Sequence, residues 1–183
     1  MAARSVGDCL TLTLSVETFS EPLDALLAEH FRQRAICDLL DRLAKNLSGA
    51  RAMETARIIL TYLREQLPLH IVDEERDLFQ LLRNRSLASE AVEEALAKLH
   101  REHAENVGVV SLVIAGLERL ALGSPPESVE GFVEAAHAFA DAQRRHVAYV
   151  NSRILPLART RLTRKDLGRL SRRMVARRQG SVD

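Results

Sequence analysis

His30 shares three- and four-residue spacing with Leu23, Leu26, Cys37, Leu40 and Ala44, which puts it on the apolar stripe of an amphipathic helix. Ile59, Leu63, Leu67, His70, Glu74, Leu78 and Leu81 form a second stripe, with an imidazole and a carboxylate one turn apart on a face expected to be buried. His103 follows Leu96 and Leu99 and precedes Val107, Val110 and Ile114, and His146 falls among Phe139, Ala142, Val150 and Ile154. A single histidine on such a stripe reads as a hydrogen-bonded core residue. Four of them with a buried carboxylate read differently. Clustered imidazoles without partners are strained donors and acceptors in a low dielectric, and a transition-metal ion satisfies them together. The chemistry implied is cation coordination by His30, His70, Glu74, His103 and His146.

Other residues of similar type act as controls. His137 is half a turn out of phase with His146 and is expected to face solvent. His100, three residues before His103, lies about 60° off the stripe, as a flank residue, a residue behind the ligands or an extra ligand, with the flank reading favoured. Cys37 is two turns from His30, roughly 10 Å of rise, and reads as a small core residue. Glycine-rich phosphate loops, a nucleophile elbow and Cys-x-x-Cys pairs are absent, so nucleophilic chemistry has no support.

Elements must bring these side chains together. Ser20-Glu21-Pro22 reads as a helix start with Ser20 as N-cap, and the first helix runs to Lys45 before the Asn46–Gly49 turn. A second helical pattern spans residues 50–84, with a kink expected near Gln66 ahead of Pro68. Ser89 is positioned to cap a third, ending at Gly123, and a fourth runs over residues 127–160 with Pro156 near its end. Thr163-x-x-Asp166 has the form of a capping box opening a short fifth helix. Short connections between four long helices predict an all-α, up-down-up-down four-helix bundle. Counted along alternating directions, the histidines of helices two to four share a level, and His30 needs an offset of about one turn. The organisation expected is an N-terminal arm over residues 1–20, a bundle over residues 21–162 and a basic C-terminal helix and tail over residues 163–183. Leu10–Val16 alternates Leu, Thr and Ser and suits an edge strand, an ordered arm or no regular structure.

The run His70-Ile71-Val72-Asp73-Glu74-Glu75-Arg76-Asp77-Leu78-Phe79 resembles the H-x-x-x-E-E-x-x-L-F signature of the hemerythrin-like HHE cation-binding family. Glu29-His30, Glu102-His103 and the segment from His146 to Pro156 agree with it in order, and the resemblance covers about residues 21–162. It implies a four-helix bundle around a bridged non-haem di-iron centre, with His30, His70, Glu74, His103 and His146 as ligands and Glu74 bridging. It also implies O2 or NO as the small-molecule ligand, or a part in iron and redox stress responses.

The sequence departs from that pattern. Val150 stands where the family carries a second bridging Glu, Asn151 where oxygen carriers have Asp, Leu99 where they have a second histidine, and Gln80 where Pro is common. Two Fe(II) ions bring four positive charges, of which one carboxylate and a hydroxide neutralise two. Asp77, seven residues after His70, is a candidate for the missing charge, with a surface role as the alternative. Asn151, Asp77 and His100 are thus the candidates for a supporting shell. A mononuclear site, a labile second metal and an empty scaffold are the alternatives to a full pair, and His-rich donors also suit Zn, Cu or Ni.

Composition narrows the function classes. Lys and Arg total 26 against 25 Asp and Glu, a formal charge of +1, which argues against nucleic acid or anionic membrane as the main partner. The basic run from Arg159 to Arg178 lacks interleaved aromatics, and a helix packing Leu162, Leu167, Leu170 and Met174 onto the bundle end is the favoured reading. Two cysteines, no signal-peptide core and no long apolar run lead to the expectation of a soluble, cytoplasmic protein. A metal-binding protein leads, with a non-haem iron enzyme of oxidative or nitrosative stress and a degenerate interaction module as rivals.

Overall fold

The computed structural model describes residues 16–87 and 90–180, and among them every regular element is helical. After a 3-10 turn (Val16–Ser20), α1 (Pro22–Lys45) forms the first rod. The second rod, residues 52–85, comprises α2 (Ala52–Thr61), α3 (Leu67–Val72) and α4 (Phe79–Arg85), joined by wide π turns at Tyr62–Gln66 and Asp73–Leu78. The third rod is α5 (Val92–Ala121). In the fourth, a π turn at Val150–Ile154 separates α6 (Val129–Tyr149) from α7 (Leu155–Arg161). A basic helix, α8 (Arg164–Arg178), follows.

Local chemistry sets the boundaries. Gly123, at φ +78°, ends α5 with the N–H of Ser124 on the carbonyl of Arg119 and its own N–H on Leu120, the paired closure that a left-handed residue after a helix allows. Thr163 and Asp166 cap α8 reciprocally, and Ser128 accepts from the Gly131 N–H at the start of α6. The expected Ser20 cap does not form. The Ser20 hydroxyl donates instead to the Glu17 carbonyl inside the 3-10 turn, and Glu21 starts α1 ahead of Pro22. The expected Ser89 cap lies outside the described residues, as does the Leu10–Val16 segment up to Ser15, and Val16 opens the 3-10 turn. Prolines 68 and 156 are each absorbed by a π turn one residue upstream. The Leu67 N–H reaches back five residues to Tyr62, and that of Leu155 to Val150, which relieves the clash of the proline ring with the preceding turn.

The first rod packs against the second and fourth, and the third packs against the same two. The core falls into two apolar clusters. One gathers Leu23 and Leu26, Leu78 and Phe79, Leu96 and Leu99, and Val150 and Ile154. The other gathers Ile36 and Leu40, Ile59 and Leu63, Val113 and Leu117, and Phe132 and Phe139. Each large apolar side chain contributes roughly 1.5–3 kcal/mol on burial. Successive rods meet the clusters in opposite order, and between the clusters each rod carries its polar residues: Glu29, His30 and Gln33; His70, Asp73 and Glu74; His103; Gln143 and His146. A polar layer therefore crosses the middle of an apolar core. Such a layer is tolerated only if its groups find partners.

Candidate metal centre

Glu74 occupies the centre of this layer, on the π turn that follows α3, and no part of it reaches solvent. Its Oε1 lies 3.5 Å from His30 Nε2 and 3.5 Å from His70 Nε2. Its Oε2 lies 3.4 Å from His103 Nε2 and 3.3 Å from His146 Nε2. One carboxylate thus faces two imidazole pairs, one pair per oxygen. The atoms fall into two donor triads, each within 4.8 Å: His30, His70 and Glu74, and Glu74, His103 and His146. Two donors bound to one ion at roughly 2.1 Å stand about 3.0–3.4 Å apart across a right-angled or tetrahedral edge. The observed separations are close to that range.

Hydrogen bonding leaves the inner face of the site unsatisfied. His30 Nε2, His70 Nε2 and Glu74 Oε1 are buried with no hydrogen-bond partner. Orphaned donors and acceptors of this kind are rare in folded proteins and each carries a desolvation penalty of about 1–3 kcal/mol, which a bound cation would remove. The donor set of neutral nitrogens with one carboxylate oxygen fits iron, and also zinc.

Electrostatics agree with the geometry. Burial alone raises the Glu74 carboxyl, but the surrounding imidazoles, His70 first, hold it well below the usual carboxylate range. Burial pushes the His30 imidazole down despite Glu74. In His70 and His103 burial acts in the same direction, but Glu74 outweighs it and both end raised.

The outer faces of the rings are held by other residues. His103 donates from Nδ1 to Glu75 Oε1 at 2.7 Å, and His146 from Nδ1 to Glu102 Oε2 at 3.1 Å. His30 Nδ1 meets Asn151 Oδ1, whereas His70 Nδ1 has no partner. Asn151, a supporting candidate from sequence, therefore sits directly behind a ring. His100 is exposed and touches Glu75 Oε2 at 3.0 Å, so it joins the site only through that carboxylate. His137 pairs with Asp41 on the surface. Cys37 is fully buried, and burial pushes its thiol up to about 12.

Asp77 needs correction on both of its expected roles. It is buried, it belongs to neither donor triad, and it pairs with Arg173 and Arg177 of α8. The π turn at Asp73–Leu78, which carries Glu74, is wider than an α-turn, so the 3.6-residue count that placed Asp77 near the face of His70 does not hold across it. Sequence reasoning also left Glu75 and Glu102 without roles. Each adjoins a donor in the chain, Glu75 after Glu74 and Glu102 before His103, about 100° off the stripe, where a side chain can reach the neighbouring rod. Glu29, likewise beside His30, is buried and accepts from Arg32 at 2.8 Å.

A helical core crossed by a layer of histidines around a shared carboxylate defines a cation-binding domain. The hemerythrin HHE cation binding domain matches residues 21–158, three-quarters of the chain, and the chain belongs to that family. No curated protein matches it. Among the described residues no helix is long and apolar enough to cross a membrane.

Proposed function

We propose that this chain is a non-haem iron protein in which Glu74 bridges two cation positions, one completed by His30 and His70 and the other by His103 and His146, and which binds O2 or NO or handles iron. The observation that carries the proposal is the division of the Glu74 oxygens between two imidazole pairs, with the inward nitrogens of one pair lacking any other partner. Iron bound there would supply an exchangeable position for a diatomic molecule and a change of oxidation state. The chain's own residues hold, orient and shield. Phe79 stacks on the His103 ring at 6.4 Å, and Leu99 and Val150 are fully buried in the cluster next to the site, which limits access of water. The reverse order of the two apolar clusters along successive rods supports an up-down-up-down four-helix bundle over residues 21–162, with α8 as an appended basic helix.

Charge is the main objection to a pair of ions when only Glu74 is counted. Glu75 and Glu102 answer part of it, because each places a carboxylate one hydrogen bond behind a donor ring. Apo-protein reconstituted with Fe(II) without oxygen is expected to hold up to two ions per chain, and Glu74→Ala to lose both while keeping its helical circular dichroism. Exposure of the loaded protein to O2 or NO then separates reversible spectral change, expected of a binder, from multiple turnovers. Metal content unaffected by Glu74→Ala would overturn the proposal.

A further inference from the structure

We infer that the two cation positions are unequal: the one formed by His103, His146 and Glu74 Oε2 fills first and holds its ion more tightly, and the one formed by His30, His70 and Glu74 Oε1 fills second and binds more weakly. The inference rests on the reading of this site as a cation centre and adds an order of loading set by residues behind the ligands.

The first argument is the partner of each Nδ1. Both rings of the outer position are backed by carboxylates, Glu75 behind His103 and Glu102 behind His146. A carboxylate accepting from the far nitrogen raises the basicity of the coordinating one and adds negative charge close to the ion. The inner position has no such support. Behind His30 stands the neutral amide of Asn151, and behind His70 nothing. The charges of Glu29 and Asp73 also reach His70, and both are already paired, Glu29 with Arg32 and Asp73 with Arg177 and Arg178. Glu102 also meets Lys98, which is half-exposed, so solvent weakens the lysine's effect on it.

The second argument is access. The His103 side chain is 13% exposed, and Glu75 and Glu102 are 22% and 26% exposed, while the side chains of His30 and Glu74 are at 1% and 0%. The solvent-facing side of the centre is thus formed by Glu75, Glu102 and His103, with His146 at 2% and His70 at 1% lying deeper. Carboxylate backing and exposure favour the same position, and we set them above the relief that a cation between His30, His70 and Glu74 Oε1 would bring to those orphaned atoms.

The test is a titration of apo-protein with Co(II) under argon, followed by visible absorption and by calorimetry. Two steps are expected, the first at least about tenfold tighter than the second. Glu75→Gln and Glu102→Gln are each expected to weaken the first step by about 10–100-fold. Asn151→Asp is expected to tighten the second step, with the first changed by no more than about twofold. His70→Gln is expected to abolish the second step alone, and His146→Gln to leave a single weak one, so the inference stays testable should Asn151→Asp fail to fold. Equal affinities for the two steps, or survival of only the weak step in His70→Gln, would overturn the inference and leave the cation centre standing. No saturable Co(II) binding would remove the cation centre itself, and the inference with it.

Discussion

Asp77 of the second rod and Arg177 of α8 meet at 2.6 Å, and the carboxylate in this pair is only 2% exposed. The neighbouring contacts repeat the pattern: Arg173 also reaches Asp77 at 2.6 Å, and Arg178 reaches the buried Asp73 at 2.7 Å while stacking over Phe19. The basic C-terminal helix is thus joined to the turn that carries Glu74. Its arginines pair with two buried carboxylates, and Leu170 and Met174 bury fully beside them.

Removing Arg173 and Arg177 is expected to leave the buried Asp77 unpaired, while Asp73 keeps Arg178. The double variant Arg173→Ala, Arg177→Ala should lose about 3 kcal/mol of unfolding free energy, read from urea denaturation. Arg64→Ala breaks a pair with Glu118 in which both side chains are nearly half exposed, and should change stability by less than about 1 kcal/mol. Equal effects of the two variants would show that α8 is held by its apolar face alone.

Val150 lies four residues after His146, as Glu74 does after His70, and is fully buried. Val150→Glu is expected to destabilise the metal-free protein by about 2 kcal/mol or more, since it buries a carboxylate without a dedicated partner. A second carboxylate also balances more of the charge of two cations, so the rise in melting temperature on adding Co(II) should exceed that of the unsubstituted chain. A smaller rise than in the unsubstituted chain would show that position 150 does not address the centre.

Gly116 of α5 packs against Phe132 so closely that an added Cβ would stand 2.2 Å from the ring. Alanine is the better helix former by about 1 kcal/mol. The ring is buried and cannot step aside freely, and overpacking of this kind costs about 1–3 kcal/mol. Gly116→Ala should therefore lower the urea midpoint despite the gain in helix propensity, and a raised midpoint would mean that the third and fourth rods separate easily.

Asp166 is held at about 2, below the usual aspartate range, by the Arg85 guanidinium and then by the Thr163 hydroxyl. Because its folded value is depressed, the stability it contributes is present above the unfolded value of about 4 and is lost as pH falls toward about 2. The stability gap between the unsubstituted chain and Asp166→Asn should be constant above about pH 5 and narrow below about pH 4. A gap that does not change with pH would place the contribution in the neutral half of the capping box.

Much of this was legible in the residues because it is local. Helical phase alone names the five donors that the structure brings together, and Gly123 and the Thr163–Asp166 box mark their helix ends for reasons contained within one turn of chain. Ser20 shows where local reading stops: a cap residue on composition, it is taken by a neighbouring 3-10 turn that no periodicity announces.

Spacing fixed which face of each rod carries an imidazole. It could not fix how the rods are rotated and stepped against one another, and that decided the rest. The assignment of one Glu74 oxygen to each imidazole pair, Glu75 and Glu102 behind two rings and Asn151 behind a third are relations between rods. So is the pairing of Asp77 with α8, brought about by a π turn whose segment contains neither proline nor glycine. A helix encodes its own phase in about four residues, whereas the register between helices is the outcome of packing over the whole core.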